Sequence, residues 1–272
     1  MPYFATIPSG NKVFIFLLPL LFLVSTCDDQ VTGPGQDNGN GNDHDEVGQS
    51  AHLKGVGESA NDLLSGETFE TLIVQVQYME GAEPTDAALD NLGSFLEERV
   101  HKASVELRVE GPIPSGGKEK YSISEIRDLE DEHRTEYIRA DTIATYYLYV
   151  DGGSDQDSNG SHILGAAYRN TSMVMFHDNI DDVSGGLGKP SKRNVETTVL
   201  NHEFGHILGL VNTGSEMQAD HKDEEQGAHC DNGSCLMHYT ARTDGIEALI
   251  IGGSVPELDG NCIDDLQANG GK

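Results

Sequence analysis

Two histidines and a glutamate near the middle of the chain have the spacing of a metal-binding helix. His202 and His206 are four residues apart in the sequence HEFGHILGLVNTG, and Glu203 lies between them. On a helix, residues i and i+4 lie on the same face, so both imidazoles can bind one ion. The carboxylate beside them can take a proton from a zinc-bound water, whose pKa falls toward about 7. This pattern predicts metal-assisted hydrolysis.

A catalytic zinc normally has three protein ligands, so the helix needs a third donor from elsewhere in the chain. The nearest unassigned imidazoles are those of His221, which lies in an acidic segment, and His229. Carboxylates close to an imidazole can orient it toward a metal, which keeps His221 as an alternative third ligand. Both histidines are therefore candidates on the residues alone.

The sequence HEFGHILGL resembles the HExxHxxG core of the metzincin metallopeptidases. In that family the third ligand usually follows the glycine by three residues, and this chain has Asn212 there. An amide oxygen is a poor zinc ligand compared with imidazole, because zinc prefers nitrogen or thiolate donors. Gly209 keeps the family's glycine, which allows the chain to leave the helix through a left-handed turn. The third ligand is therefore expected farther along the chain.

The later sequence HCDNGSCLMHY resembles the HC-x4-C-x-M segment of archaemetzincins. This resemblance implies that His229 is the third zinc ligand and that Met237 forms the Met-turn beneath the site. The letters MHY also resemble a segment of astacins, which implies that Tyr239 stabilises the oxyanion, whereas the alternative for Tyr239 is a core position. The resemblance predicts a zinc endopeptidase of the metzincin type, with one catalytic Zn²⁺ and peptides or proteins as substrates.

Three cysteines lie in the same part of the chain. Cys230 and Cys235 flank the sequence DNGS and can close a small disulfide in an oxidising compartment. Cys262 is then left over, so bridges from it to either of the other two stay open. Archaemetzincins have a further pair of cysteines downstream, where this chain has Cys262 alone. The resemblance therefore favours a disulfide over the structural zinc of that family.

The N-terminus has the features of a secretory signal. An apolar run from 13 to 24 is too short to cross a bilayer but matches the hydrophobic region of a signal peptide. The run ends in LVSTC, which resembles the lipobox of bacterial lipoproteins and implies lipid modification of Cys27 after removal of residues 1–26. We therefore expect the protein in the cell envelope outside the cytoplasm, at the outer membrane or cell surface.

The composition divides the rest of the chain into two parts. Residues 27–65 are rich in Gly, Asn and Asp and predict a flexible tether, and residues 66–272 predict the metzincin-like peptidase domain. The chain has 17 Lys and Arg against 46 Asp and Glu, which gives a net charge of −29. Such a field repels nucleic acid and anionic lipid. Nucleic acid is therefore not an expected partner, and the N-terminal lipid is the only expected membrane contact.

An acidic loop raises the question of a second cofactor, Ca²⁺. In the sequence DGGSDQDSNGS, Asp155, Asp157 and Asn159 match positions 1, 3 and 5 of a calcium loop. Position 12 is Ala166, where an EF-hand requires a bidentate glutamate. The alternative explanation is an exposed turn rich in Asp and Gly.

Strand and helix patterns alternate along the predicted domain. Apolar and β-branched runs predict strands, and apolar residues at helical spacing predict helices, in the order strand 71–79, helix 85–100, strand 104–111, helix 122–134, strand 142–150, two short strands within 162–178 and helix 194–210. Two crossover helices predict a twisted, mostly parallel mixed sheet of the α/β (α+β) zincin-like class. The active-site helix, the Met-turn and a C-terminal helix complete the expected fold.

Two functions from different classes fit these features. The first is a lipid-anchored extracytoplasmic zinc endopeptidase, in which Glu203 is the general base. The second is a catalytically inactive, surface-binding lipoprotein with a zincin fold, which Asn212 and the acidic insertion motivate. The glutamate favours the enzyme, because a purely structural zinc does not need a carboxylate there. A calcium-dependent adhesin is a third hypothesis that depends only on the acidity and the Asp-rich loop.

Overall fold

The computed structural model describes residues 50–158, 161–250 and 253–272. Their strands are β1 (Thr71–Tyr78), β2 (Ser104–Val109), β3 (Lys120–Tyr121), β4 (Thr142–Val150), β5 (Gly153–Ser154), β6 (Gly165–Arg169) and β7 (Ser172–Phe176). Their helices are α1 (Ala60–Leu64), α2 (Asp86–Arg99), α3 (Ile123–His133), α4 (His177–Val183), α5 (Lys192–Ile207), α6 (Ile246–Leu249) and α7 (Gly260–Ala268). None of the described helices is long and apolar enough to cross a bilayer.

The main sheet has the strand order β2-β1-β4-β7-β6. Its first four strands are parallel neighbours, and β6 pairs antiparallel with β7 at the edge. Parallel neighbours require crossover connections, which α2 provides between β1 and β2, and α3 provides between β2 and β4. The predicted mostly parallel mixed sheet with two crossover helices is therefore confirmed.

Helix α5 lies against the sheet close to the edge strand β6. The residues of α5 are buried from Asn194 to Ile207, as expected for a helix in the interior rather than on the surface. Gly165 on β6 allows this close packing, because a Cβ there would lie only 2.7 Å from Val199 Cγ1 and 3.1 Å from Glu203 Cγ. The edge of the sheet is thereby placed directly beside the predicted general base.

The folded region begins earlier than position 66, where the sequence analysis placed the end of the tether. Ala60, Leu63 and Leu64 of α1 are buried in the core, and His52 is also buried. The element is only five residues long, which is too short for a helical period to be visible in a polar segment. Residues before Ser50, with the signal peptide and Cys27, lie outside the described residues.

Two boundaries near the site also differ from the prediction. The second short strand ends at Phe176, and α4 follows it without a capping side chain, which leaves no N-terminal signature in the sequence. Helix α5 begins after Ser191, whose side chain accepts a hydrogen bond from Asn194 N, and it ends at Ile207. It ends before position 210 because Gly209 takes a left-handed φ of +86°.

Gly209 offers a stability prediction. A Cβ there would lie 2.4 Å from Ser215 N and 2.8 Å from Ala60 Cβ. We expect Gly209→Ala to lower the free energy of unfolding by about 2–5 kcal/mol, because the left-handed backbone and the overpacking both cost energy. The control is Gly188→Ala, since Gly188 has φ +85° but no described atom within 4 Å of its Cβ position. Urea denaturation should show a loss of only about 1–2 kcal/mol there, and equal losses would contradict the packing argument.

Candidate metal centre

Three histidines converge in the interior beside α5. The Nε2 atoms of His202 and His206, one helical turn apart, are 3.2 Å from each other. The ring of His229 lies with its centroid 5.3 Å from that of His202 and 5.0 Å from that of His206. One ring nitrogen of each histidine lies within 4.8 Å of the other two. The structure therefore brings together the three residues that the sequence analysis favoured as zinc ligands.

Backbone carbonyls fix the direction in which each imidazole points. Every Nδ1 of the three rings lies at hydrogen-bond distance from a carbonyl oxygen: His202 from Leu236 at 2.8 Å, His206 from Leu210 at 3.2 Å and His229 from Gln226 at 2.7 Å. A carbonyl oxygen only accepts, so each Nδ1 donates and each Nε2 keeps a free lone pair. Metal-binding histidines are commonly oriented in this way.

A backbone hydrogen bond closes the loop that follows His229. Cys230 N donates a hydrogen bond to Met237 O at 2.9 Å. This contact brings His229 and the Leu236 carbonyl to the same side of α5. The third imidazole and the carbonyl that orients His202 therefore belong to one structural unit.

Burial keeps the three imidazoles neutral, which is the form that binds a metal. Desolvation lowers the pKa of His202 well below its ordinary value, lowers that of His206 to about 3 and also lowers that of His229. His229 Nε2 is buried and has no hydrogen-bond partner within the described part of the chain. Three neutral nitrogen donors that face one point fit a zinc ion.

Glu203 lies beside the three histidines and is fully buried. Its Oε2 accepts a hydrogen bond from Ala167 N on β6 at 2.7 Å, whereas its Oε1 has no partner among the described residues. Burial raises the pKa of Glu203 to about 7, although the charge of Arg242 and the Ala167 N–H act in the opposite direction. The side chain is thus anchored by one oxygen and has the other available for a proton.

Met237 and Tyr239 occupy two different positions near the histidines. Met237 is fully buried, and a Cβ on Gly205 would lie 2.3 Å from its Sδ, so this glycine allows Met237 to lie directly against α5. Tyr239 begins a 3₁₀ turn, Tyr239–Arg242. It lines a cavity of about 420 Å³ together with His229. Tyr239 is therefore at the wall of a cleft rather than in the core.

Asn212 has a local role in the turn that follows α5. It is exposed and has a φ of 57°, a left-handed conformation that asparagine tolerates better than most residues. It is not part of the group of three histidines. The family position of the third ligand is therefore a turn residue in this chain.

The alternative ligand His221 belongs to a second cluster with Cys230, Asp259 and Cys262, whose ligand atoms all lie within 4.8 Å of one another. Its Nδ1 lies 3.4 Å from Cys230 Sγ and 3.9 Å from Cys262 Sγ. Cys235 Sγ is 3.6 Å from Cys262 Sγ. The other ring nitrogen, Nε2, is 2.8 Å from Asp265 Oδ2. His221 is therefore not part of the group of His202, His206 and His229, for which it was the alternative third ligand.

The three cysteines are free thiols, so the disulfide predicted between Cys230 and Cys235 is not formed in the structure. Hydrogen bonding from Cys230 is the main cause that lowers the pKa of the Cys235 thiol. With the sulfur of Cys235, which lies beside Cys262, the cluster offers three sulfurs and one imidazole, a donor set typical of closed structural zinc sites, and Asp259 adds a carboxylate. The spacing of the cysteines does not indicate this cluster, because His221 is 41 residues from Cys262 and comes close to it only in the folded chain.

In the acidic loop that was considered for calcium, the carboxylate of Asp157 accepts hydrogen bonds from the protein itself. Asp157 accepts hydrogen bonds from Ile163 N at 2.8 Å and from Asn179 Nδ2 at 3.0 Å. Asp155 is exposed, and Asn159 lies outside the described residues. These contacts explain the burial of the Asp157 side chain without an ion, and the calcium site stays a prediction.

No protein-family model matches the chain, and no curated protein matches it. Its structure is similar to the solved archaemetzincin of Methanopyrus kandleri, with a TM-score of 0.48 and 16% identity over 74% of this chain and 96% of that one. It is also similar to a zinc-dependent peptidase of Methanocorpusculum labreanum, with a TM-score of 0.47 and 15% identity over 71% of this chain and 99% of that one. For metalloproteinase-II of Bacteroides fragilis the TM-score is 0.41 and the identity 15%, over 74% of this chain and 54% of that one.

Proposed function

We propose that the chain is a zinc-dependent endopeptidase in which His202, His206 and His229 hold the metal. The observation that carries this proposal is the convergence of three buried imidazoles, each with its Nδ1 bound to a carbonyl. Three protein ligands leave a further coordination position for water or substrate, as in catalytic zinc sites. A closed structural site would have four protein ligands instead.

Glu203 is the general base in this proposal. When bound, zinc supplies a water of lowered pKa and polarises the scissile carbonyl. The hydrogen bond from Ala167 N holds one oxygen of Glu203, so the other can take the proton of the attacking water. As the C–N bond breaks, the same carboxyl gives the proton to the leaving amine, which restores the base. In this proposal Tyr239, which lines the cavity with His229, donates a hydrogen bond from its phenol O–H to the oxyanion.

The alternative of an inactive binding protein loses its main motivation. That hypothesis depended on Asn212, which left the coordination set incomplete at the expected position. With His229 beside the helix pair, a third imidazole is available without it. The unpartnered, buried Oε1 of Glu203 also favours a hydrolase, because a binding protein has no use for such an atom.

We also propose that the second cluster, His221, Cys230, Cys235 and Cys262, holds a structural zinc. The shared 3.4–3.9 Å separations between its sulfur and nitrogen atoms support this proposal. The contact of His221 with Asp265 is the kind of outer contact that orients a metal-binding imidazole. A metal there would fix the loop that carries His229.

The anchor and the location of the chain complete the proposal. The sequence LVSTC supports lipid attachment at Cys27 after removal of the signal peptide. The enzyme would then act on peptides or proteins outside the cytoplasm.

The function can be tested with the purified full chain and an unstructured protein such as casein. We expect hydrolysis by the zinc-loaded chain, loss of hydrolysis after chelation of the metal and recovery on addition of zinc but not of magnesium. Mass spectrometry of the products identifies the cleaved bonds and excludes a contaminating protease by comparison with a Glu203→Ala preparation. A zinc-loaded chain that cleaves neither casein nor a diverse peptide library would contradict the proposal.

A further inference from the structure

Arg242 places a positive charge in the cavity beside His229. It is the last residue of the 3₁₀ turn Tyr239–Arg242, and it lines the cavity of about 420 Å³ together with His229 and Tyr239. Its carbonyl accepts a hydrogen bond from Leu164 N at 2.9 Å, directly before the edge strand β6. The backbone of this arginine is thus fixed between the proposed catalytic residues and the edge of the sheet.

The guanidinium of Arg242 has no ion pair and no side-chain hydrogen bond within residues 50–158, 161–250 and 253–272. Asp244 lines the same cavity but does not pair with it. Elsewhere the arginines Arg108, Arg134 and Arg169 each pair with acidic side chains. In a chain with 46 acidic and 17 basic residues, an arginine without a carboxylate partner keeps its donors for another group.

Arg242 shares its cavity with one of the proposed metal ligands. The side chains of Arg242, His229 and Tyr239 line the same space. An anionic group bound by Arg242 in this cavity would therefore lie close to the scissile bond.

We propose that Arg242 binds a carboxylate of the substrate next to the scissile bond. This inference rests on the proposed peptidase function and adds its substrate class. The planar guanidinium presents donors in a fork that matches a carboxylate. The carboxylate is either the side chain of Asp or Glu or the free C-terminus of the peptide. A charge-assisted hydrogen bond of this kind gives a preference of roughly 10- to 100-fold in kcat/KM.

The test uses the zinc-loaded full chain and three sets of peptides. One set carries a single Glu that is moved through the positions around the cleaved bond, a second carries Gln at the same positions, and both have amidated C-termini. A third set is neutral and has a free C-terminus next to the cleaved bond. We expect a preference for Glu over Gln at one position, or for the free C-terminus over its amide, and these two results distinguish the source of the carboxylate.

Substitutions then assign the preference to Arg242. We expect Arg242→Gln to bring the ratio of kcat/KM between the Glu and Gln peptides close to one, because the loss falls on the Glu peptides. Arg242→Glu should reverse the preference in favour of Lys peptides. The matched control is Arg139→Gln, which removes the same charge at an exposed position before β4. Equal losses for Glu and Gln peptides in Arg242→Gln, or an unchanged preference, would overturn the proposal.

A binding measurement keeps this test separate from the proposed function. The Glu203→Gln protein is expected to bind peptides without cleaving them, so fluorescence anisotropy can compare the Glu and Gln peptides directly. Tighter binding of the Glu peptide that is lost in the Glu203→Gln, Arg242→Gln double variant supports the role of Arg242 even if no hydrolysis is found. Equal binding of the two peptides, with hydrolysis intact in the parent chain, would reject Arg242 and leave the peptidase proposal standing.

Discussion

Replacement of Glu203 by glutamine is expected to lower kcat for peptide hydrolysis by roughly 10²- to 10⁴-fold, the usual contribution of a general base. The amide is close to the carboxyl in size and can keep the contact with Ala167 N through its oxygen. It cannot accept the proton of the attacking water. Glu203 is not one of the three proposed zinc ligands, so the variant should retain the bound zinc. The measurement is kcat together with the metal content of the same preparation.

The control for this prediction lies on the same helix. Glu196 is also fully buried on α5, but its oxygens accept hydrogen bonds from Thr85 Oγ1 at 2.6 Å and from the Tyr149 hydroxyl at 3.1 Å. Glu196→Gln is expected to reduce stability and to leave kcat per folded molecule close to the parental value. Parental kcat in Glu203→Gln, with zinc present, would refute the assignment of the base.

Loss of the second cluster is expected to lower both the metal content and the stability of the chain. Cys262→Ser removes one sulfur from the set of His221, Cys230, Cys235 and Cys262, and the bound zinc should fall from two to one per chain. A metal at 1,000 times its dissociation constant contributes about 4 kcal/mol to folding, so the free energy of unfolding should fall by about that amount. The melting temperature of the parent chain, but not that of the variant, should depend on occupancy of this site.

His221 provides the matched pair of variants for the second cluster. We expect His221→Ala to lose the second zinc and His221→Cys to retain it, because four thiolates also form a closed zinc site. The disulfide hypothesis makes the opposite prediction. It requires that the oxidised chain lacks two thiol hydrogens by mass, that it holds one zinc and that His221→Ala leaves the metal content unchanged.

The sequence predicts the elements whose signals are local. The order of strands and crossover helices follows from β-branched runs and helical spacing, and the pair His202 and His206 follows from the i, i+4 geometry of one helix. His229 is a candidate on the residues alone together with His221, and only the resemblance of the segment around it to a known family favours it over His221. Its carbonyl partner, which directs Nε2 toward the other two, is a property of the folded loop.

The features that the sequence did not reveal depend on tertiary contacts. His221 is nine residues from Cys230 and 41 residues from Cys262, so only the folded chain places its imidazole between these sulfurs. Among the described residues, Arg242 has no carboxylate partner. No local sequence pattern can show this, because the partner of an arginine can come from any part of the chain. The sequence indicates the second cluster only through an odd number of cysteines, Cys230, Cys235 and Cys262, with His221 nine residues before the first of them.

The most direct test of the central claim is anomalous diffraction at the zinc absorption edge from crystals of the zinc-loaded chain. Our account predicts a peak about 2.0–2.1 Å from the Nε2 atoms of His202, His206 and His229, which is the usual zinc–imidazole distance. Glu203 should lie beside this peak without binding it. A zinc that is held by the helix pair and solvent alone, with the His229 ring turned away, would contradict the account.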